Sequence, residues 1–177
     1  DPRTASIYAY LLFLLKNGAA VNAGDAPPEA LGVRAIDART LELTLDHPAP
    51  YLPELLKHLS FFPVPRHVVE AEGDAWVRPG TYVSSGPYQL VSWRLGEYIE
   101  VKKNPHFWEA DKVCVDTIRY YPTPDQVTAE RRVAAGELDI NTGFQSNRLS
   151  RIQAAMPGYA RTHISLATTY LSFNTRD

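Results

Sequence analysis

The stretch from Ser84 to Trp108 limits what this chain can fold into more than any other part of it. Gly86-Pro87 interrupts whatever precedes it. Tyr88, Leu90 and Ser92 then alternate with Gln89, Val91 and Trp93, the period of two that an extended strand imposes on its side chains. Arg94 to Glu97 supplies a tight turn in which Gly96 is free to take a positive φ. Tyr98 to Lys102 alternates again. Two alternating runs around a short glycine-containing segment predict a β-hairpin. Asn104-Pro105 and the aromatic cluster His106, Phe107 and Trp108 close it.

The remaining segments are read from the same periodicities. Ile7 to Leu15 is apolar all round, which predicts a buried helix ended by Asn17-Gly18, with Tyr8 and Tyr10 at its head. Val33 to Ile36 and Leu41 to Leu45 read as short strands joined by Asp37-Ala38-Arg39-Thr40. Leu52, Leu55, Leu56 and Leu59 have the i, i+3, i+4, i+7 spacing of a helix face. Phe61 to Pro65 reads as a crossing between domains, and Arg66 to Glu72 as a short helix. Beyond the hairpin, Val115 to Tyr121 is a strand. Thr123 as cap, Pro124 at the first position and Gln126 completing a capping box predict a helix that runs to Ala135 and stops at Gly136. Leu138 to Asn141 should be a strand, with Glu137 and Asp139 on one face. A helix capped by Ser146 follows, its inner face Leu149, Ile152 and Met156. Tyr159 to Ile164 and Leu166 to Phe173 read as the last strands. Strands alternating with capped helices place the chain in the α/β class.

Composition narrows the function. Eighteen basic against twenty acidic residues give a net charge of −2 over 177 residues, which offers no electrostatic footprint for nucleic acid and no polybasic membrane surface. The longest apolar run is far short of the ~20 residues that span a bilayer. The lone Cys114, between Val113 and Val115, cannot form an internal disulfide and reads as a buried, inert thiol. Opening at Asp1-Pro2 without an initiator Met or a secretion signal, the chain is expected to be an internal piece of a longer protein.

No chemistry can be assembled from the residue pattern. The five histidines are scattered, none paired at i, i+4, and one cysteine does not make a zinc site, so no metal is expected. Ser84-Ser85-Gly86 lacks a placed base, and no nucleophile elbow, P-loop or dinucleotide fingerprint occurs. A hydrolase using a carboxylate pair is thereby disfavoured, and the expectation is a protein that is not an enzyme and carries no cofactor. Among the aromatics, Phe144 and Tyr170 stand out because loops that follow strands are where α/β sheets bind ligands.

Ser85-Gly86-Pro87-Tyr88-Gln89-Leu90-Val91-Ser92-Trp93, followed by Asn104-Pro105-His106-Phe107-Trp108, resembles the signature of the family 5 extracellular solute-binding proteins, the peptide receptors of bacterial ABC importers. The likeness extends along the chain: Asp1-Pro2-Arg3-Thr4-Ala5-Ser6 with Tyr8, Leu31-Gly32-Val33, Phe62-Pro63-Val64-Pro65, Gly136-Glu137-Leu138-Asp139, and Thr169-Tyr170-Leu171-Ser172-Phe173-Asn174-Thr175 are each similar to a family segment in the same order.

The resemblance implies an incomplete periplasmic-binding-protein-like fold of type II, the Venus-flytrap architecture. Residues 1–65 would be the small domain segment, 66–167 part of the first lobe and 168–177 a hinge strand entering the second. It implies an oligopeptide held in an interlobe cleft by main-chain recognition, with side chains in hydrated pockets. Alternative solutes in the family are dipeptides, nickel complexes, haem and oligosaccharides; a protein-interaction domain is the remaining competitor. By position, Tyr8, Gly143, Phe144, Gln145, Thr168, Thr169 and Tyr170 are the implied ligand-binding residues. Gln126 falls where some members have an acidic residue near the cleft. The implied partners are a peptide and the permease and ATPase subunits of an importer, with the receptor a monomer. The implied location is the periplasm or another extracytoplasmic space, with or without a lipid anchor.

Overall fold

The computed structural model describes residues 6–164 and 170–175. The chain divides into two compact units, 1–71 and 72–177, the division falling at the C-terminal end of α3 (Arg66–Glu72).

The first unit is held together largely by backbone. β1 (Val33–Ala35) and β2 (Leu41–Leu43) pair antiparallel, with Val33 opposite Leu43. The turn between them is fixed by Asp37, whose carboxylate accepts from the Arg39 N–H at 2.8 Å and the Thr40 hydroxyl at 2.9 Å; these bonds hold its pKa below the ordinary carboxylate value. Beyond the strands, the chain at Leu14 to Lys16 joins the ladder: Lys16 N–H donates to the Thr44 carbonyl at 2.9 Å and Gly32 N–H to the Lys16 carbonyl at 2.8 Å. Three chain segments cross here so closely that a Cβ on Gly32 would lie 2.4 Å from the Thr44 oxygen. Gly18 is similarly confined, its Cβ position 2.3 Å from the Leu12 carbonyl oxygen. Leu14, Leu15 and Ala49 are the buried apolar side chains of this unit among the described residues.

The predicted helix over Ile7 to Leu15 is a short 3-10 turn, Ala9–Leu12, and the segment is buried only toward its end. Ile7 is 80% and Tyr10 60% exposed, so an apolar run alone is no guide to which face is covered. The leucine-spaced helix is likewise shorter than its periodicity suggests: α2 is Leu52–Leu55, and Leu59–Phe61 forms a separate 3-10 turn. α1 is Gly18–Ala23, ended by Gly24 in the left-handed region.

The second unit is built on a three-stranded antiparallel sheet in the order β3 (Tyr88–Arg94), β4 (Tyr98–Lys103), β5 (Thr117–Tyr120). The predicted hairpin is present, with Gly96 at φ 76° in its turn. One detail departs from simple alternation. Leu90 pairs with Val101 but Ser92 with Glu100, so Val91 is an extra residue and the strand carries a β-bulge. Leu90 and Ser92, expected on one face, are thus opposite neighbouring β4 residues that point to different faces.

Asn104 closes this unit. It is 1% exposed. Its N–H donates to the Pro87 carbonyl at 2.9 Å, and its Nδ2 to the carbonyls of Ser84 at 3.1 Å and Gly86 at 2.8 Å. Its Oδ1 accepts from Gln89 Nε2 and from the His106 N–H, both at 3.0 Å. The Ser-Gly-Pro turn and the Asn-Pro turn are thus two ends of one network.

A ladder of rings and guanidinium groups ties the sheet to α4 (Gln126–Ala134). Arg94 and Arg119 lie over the Tyr98 ring at 5.5 and 5.3 Å; Tyr98 meets Tyr121 at 6.1 Å; and Arg132 of α4 covers Tyr121 at 5.0 Å. The cap of α4 is Asp125, not Thr123: its carboxylate accepts from the Val127 and Thr128 N–H groups at 3.4 and 2.8 Å. Thr123 instead accepts from Arg132 at 3.3 Å. The segment Leu138 to Asn141, predicted as a strand, has no ladder partner among the described residues, and neither has Tyr159 to Ile164. Of the last predicted strand, Leu166 to Phe173, residues 166–169 lie outside the described residues and 170–173 form no strand. Cys114 is exposed, not buried, because β5 begins only at Thr117 and the thiol sits on the preceding loop.

Two substitutions test this reading of the fold. Asn104→Ala leaves buried carbonyl and N–H groups without partners and should lower stability by about 3 kcal/mol, measured as a shift in the urea midpoint at constant slope. Gly32→Ala should destabilise by roughly 2 kcal/mol or more through backbone displacement; an unchanged midpoint would contradict the close crossing.

Candidate functional site

The loop between α4 and α5 (Leu149–Ala155) carries three of the seven residues singled out from the sequence. The Glu130–Arg148 pair joins α4 to the residue that immediately precedes α5. Arg148 Nε donates to Glu130 Oε2 at 2.6 Å and its NH2 to Oε1 at 2.9 Å, a two-point contact in which both side chains are mostly covered. The Arg148 hydrogen bond holds the Glu130 carboxyl below its ordinary value, and Glu130 raises the guanidinium in turn. Neither residue is signalled by the sequence, because they are 18 positions apart and on different elements.

Within the loop, Asn141 organises its neighbours. Its Nδ2 donates to the Gly143 carbonyl at 2.6 Å, and the Gly143 N–H points back to its Oδ1 at 3.4 Å. This is the local side-chain-to-backbone bonding that asparagine favours over regular structure. The Asn-x-Gly spacing is the signal that could have revealed it. A Cβ at Gly143 would meet Gln126 Nε2 at 3.6 Å, so the first residue of α4 lies beside the loop. Gln145 precedes a 3-10 turn, Ser146–Arg148, and its carbonyl accepts the Arg148 N–H at 2.9 Å.

Beside this loop is a cavity of about 520 Å³. Val133, Ile140, Phe144, Ile152 and Met156 line it with apolar surface, and Glu130, Asp139 and Arg161 add charge. It has the mixture of hydrocarbon wall and few polar groups typical of small-molecule sites. Among the described residues no group of three His, Cys, Asp or Glu side chains converges to hold a metal.

Tyr8, Thr168, Thr169 and Tyr170 are not on this loop. Tyr8 belongs to the first unit, where its ring meets His58 at 5.0 Å and 60°. His58 in turn accepts the Ser60 N–H on Nδ1 at 3.2 Å. Tyr170 is 78% exposed and outside any strand. Thr168 and Thr169 lie outside the described residues. Gly143, Phe144 and Gln145 share the loop as consecutive residues, and of the three Phe144 lines the cavity.

The family model described as bacterial extracellular solute-binding proteins, family 5 middle, matches residues 1–177. The probable deoxycholate-binding periplasmic protein YgiS of Escherichia coli is 36% identical over 176 residues, covering 98% of this chain and 33% of the relative. The periplasmic oligopeptide-binding protein OppA of Salmonella typhimurium is 36% identical over 177 residues, again 98% of this chain and 33% of the relative. The structure of Haemophilus influenzae OppA in complex with the peptide RPPGFSPFR superposes with a TM-score of 0.84 at 32% identity, over 89% of this chain and 31% of that one. The chain thus spans about a third of the length of the relatives it matches. Its architecture is a partial type II periplasmic-binding-protein fold.

The Glu130–Arg148 pair gives a prediction with a definite sign. Because the folded carboxyl lies below the ordinary 4.5, the unfolded chain binds more protons in acid. The contribution is therefore complete above that pH and is lost as pH falls through the folded value. Thermal unfolding followed from about pH 7 to about pH 3 should show a steeper acid decline for the wild type than for Glu130→Gln. Parallel curves would show that the pair does not couple folding to pH.

Proposed function

This chain belongs to the bacterial extracellular solute-binding proteins of family 5, and from that premise we propose that it is part of the receptor component of an ABC importer for oligopeptides. The observation that carries the reading is the match of the whole chain to a family whose members include receptors named for oligopeptide binding. The mechanism is non-covalent capture. A peptide lies extended between two lobes, its amide groups pair with receptor backbone as an added strand, and closure about the hinge removes the ligand from bulk water. Because every peptide carries the same amides, such recognition tolerates sequence; ordered waters fill the space left by short side chains.

In this reading residues 1–65 form the small domain segment, 66–167 part of the first lobe and 168–177 the strand leading to the second. Gly143, Phe144 and Gln145 face the ligand from the first lobe, and Tyr8, Thr168, Thr169 and Tyr170 complete the set. Several features support a role for the loop. Phe144 is half-buried and lines a cavity, Asn141 orders the turn before it, and Gln126 supplies a neutral amide beside Gly143. The receptor releases its ligand unchanged to a permease driven by an ATPase, so no catalytic group is required. It acts as a monomer in the periplasm or an equivalent extracytoplasmic space.

The first test is native mass spectrometry of the full-length protein as purified, with the bound small molecules released and identified. A ladder of short peptides is the expected result; a bile acid, sugar, haem or metal chelate would replace the oligopeptide assignment with another solute. Phe144→Ala and Tyr170→Ala should each weaken peptide affinity by about tenfold without moving the thermal midpoint appreciably, as read by titration calorimetry. Unchanged affinity in both would remove them from the site.

A further inference from the structure

Tyr159 sits just beyond Pro157-Gly158 and reaches back to the loop that precedes α5. Its hydroxyl accepts the backbone N–H of Asn141 at 2.9 Å and donates to the carbonyl of Asp139 at 3.5 Å. These are the N–H and C=O on either side of Ile140, the pair that one residue of a parallel neighbouring strand would satisfy. The phenol therefore stands in for a strand partner, which gives the 139–141 backbone a fixed position without a ladder. The same ring lines the cavity together with Phe144 and Ile140.

The bonds run on from there. Asn141, held through its N–H by Tyr159, uses its side-chain amide to hold Gly143 at both N–H and carbonyl. Phe144 is the next residue. We propose that Tyr159 is a positioning residue of the ligand site: its hydroxyl fixes Asn141, Asn141 fixes Gly143, and Phe144 is set in place before a ligand arrives. The gain is preorganisation, since a loop ordered in advance is not ordered at the expense of binding. This inference rests on the reading that the loop 143–145 meets the peptide.

The test is Tyr159→Phe in the full-length protein, which removes one oxygen and keeps the ring against the cavity wall. Amide hydrogen exchange resolved to single residues and affinity for tetra-alanine, a probe that is almost all main chain, are measured together. The Asn141 amide should exchange at least about tenfold faster while amides inside α4 keep their rates. Affinity should fall roughly fivefold, the fold-change of one ordinary hydrogen bond. Unchanged exchange at Asn141 overturns the anchor. Faster exchange with unchanged affinity overturns the positioning role. In that case Phe144→Ala separates the causes: if it weakens tetra-alanine binding, the loop reading stands and Tyr159 alone is wrong; if it does not, the loop reading itself fails.

Discussion

The turns at the end of the hairpin in the second unit depend on one buried amide. Asn104 satisfies groups on both sides of the hairpin at once, because an asparagine side chain offers two donors and an acceptor within a few ångströms. Aspartate has no N–H to give the Ser84 and Gly86 carbonyls, and leucine of similar size has neither donor nor acceptor. In the low-dielectric interior the carbonyls it serves would be left unpaired, which costs more than the bonds contribute when made. The motif that marks the family in sequence is therefore a hydrogen-bonding unit split by the length of a hairpin. Its two halves are legible separately; that they belong together is visible only in three dimensions.

From that unit order is passed outward through side-chain contacts. The sheet holds Tyr98 in the middle strand, two guanidinium groups lie over its ring, and Tyr121 and Arg132 extend the contacts to α4. Exposed cation–aromatic contacts contribute about 0.5–1 kcal/mol each, so this ladder orients the helix more than it stabilises it. The two-point Glu130–Arg148 contact then relates α4 to the start of α5. The loop between these helices inherits a fixed frame at both ends. A binding loop on such a frame can vary in sequence without disturbing what supports it.

Much of this was readable in advance, for identifiable reasons. The hairpin and α3 follow from local periodicity and turn residues, and the structure has them where the sequence puts them; Ser146, expected to cap α5, instead opens a 3-10 turn, and α5 begins at Leu149. The failures are equally physical. Ile7 to Leu15 looked like a buried helix because composition reports what is apolar, not what is covered. The α4 cap moved from Thr123 to Asp125 because both residue types cap well and only geometry decides between them. Leu138 to Asn141 has strand-like residues, but a strand needs a partner. Its backbone meets a tyrosine hydroxyl, and no sequence rule pairs residues 139 and 141 with position 159. Of the candidate site, Phe144 was singled out by its place after a strand-like run, whereas Asn141, Glu130 and Arg148 act through partners that lie off the local chain or, for Asn141, through a turn pattern left unread.

The bulge at Val91 has a consequence beyond the hairpin. β3 is an outer strand of the described sheet, with one row of backbone groups turned away from β4. An outer strand that is flat and regular is an invitation to any extended chain, including a partly unfolded copy of the same protein. One surplus residue bends the strand and puts the N–H and C=O groups on its outer side out of step with a straight newcomer. On β3 a single surplus valine is enough to spoil that template.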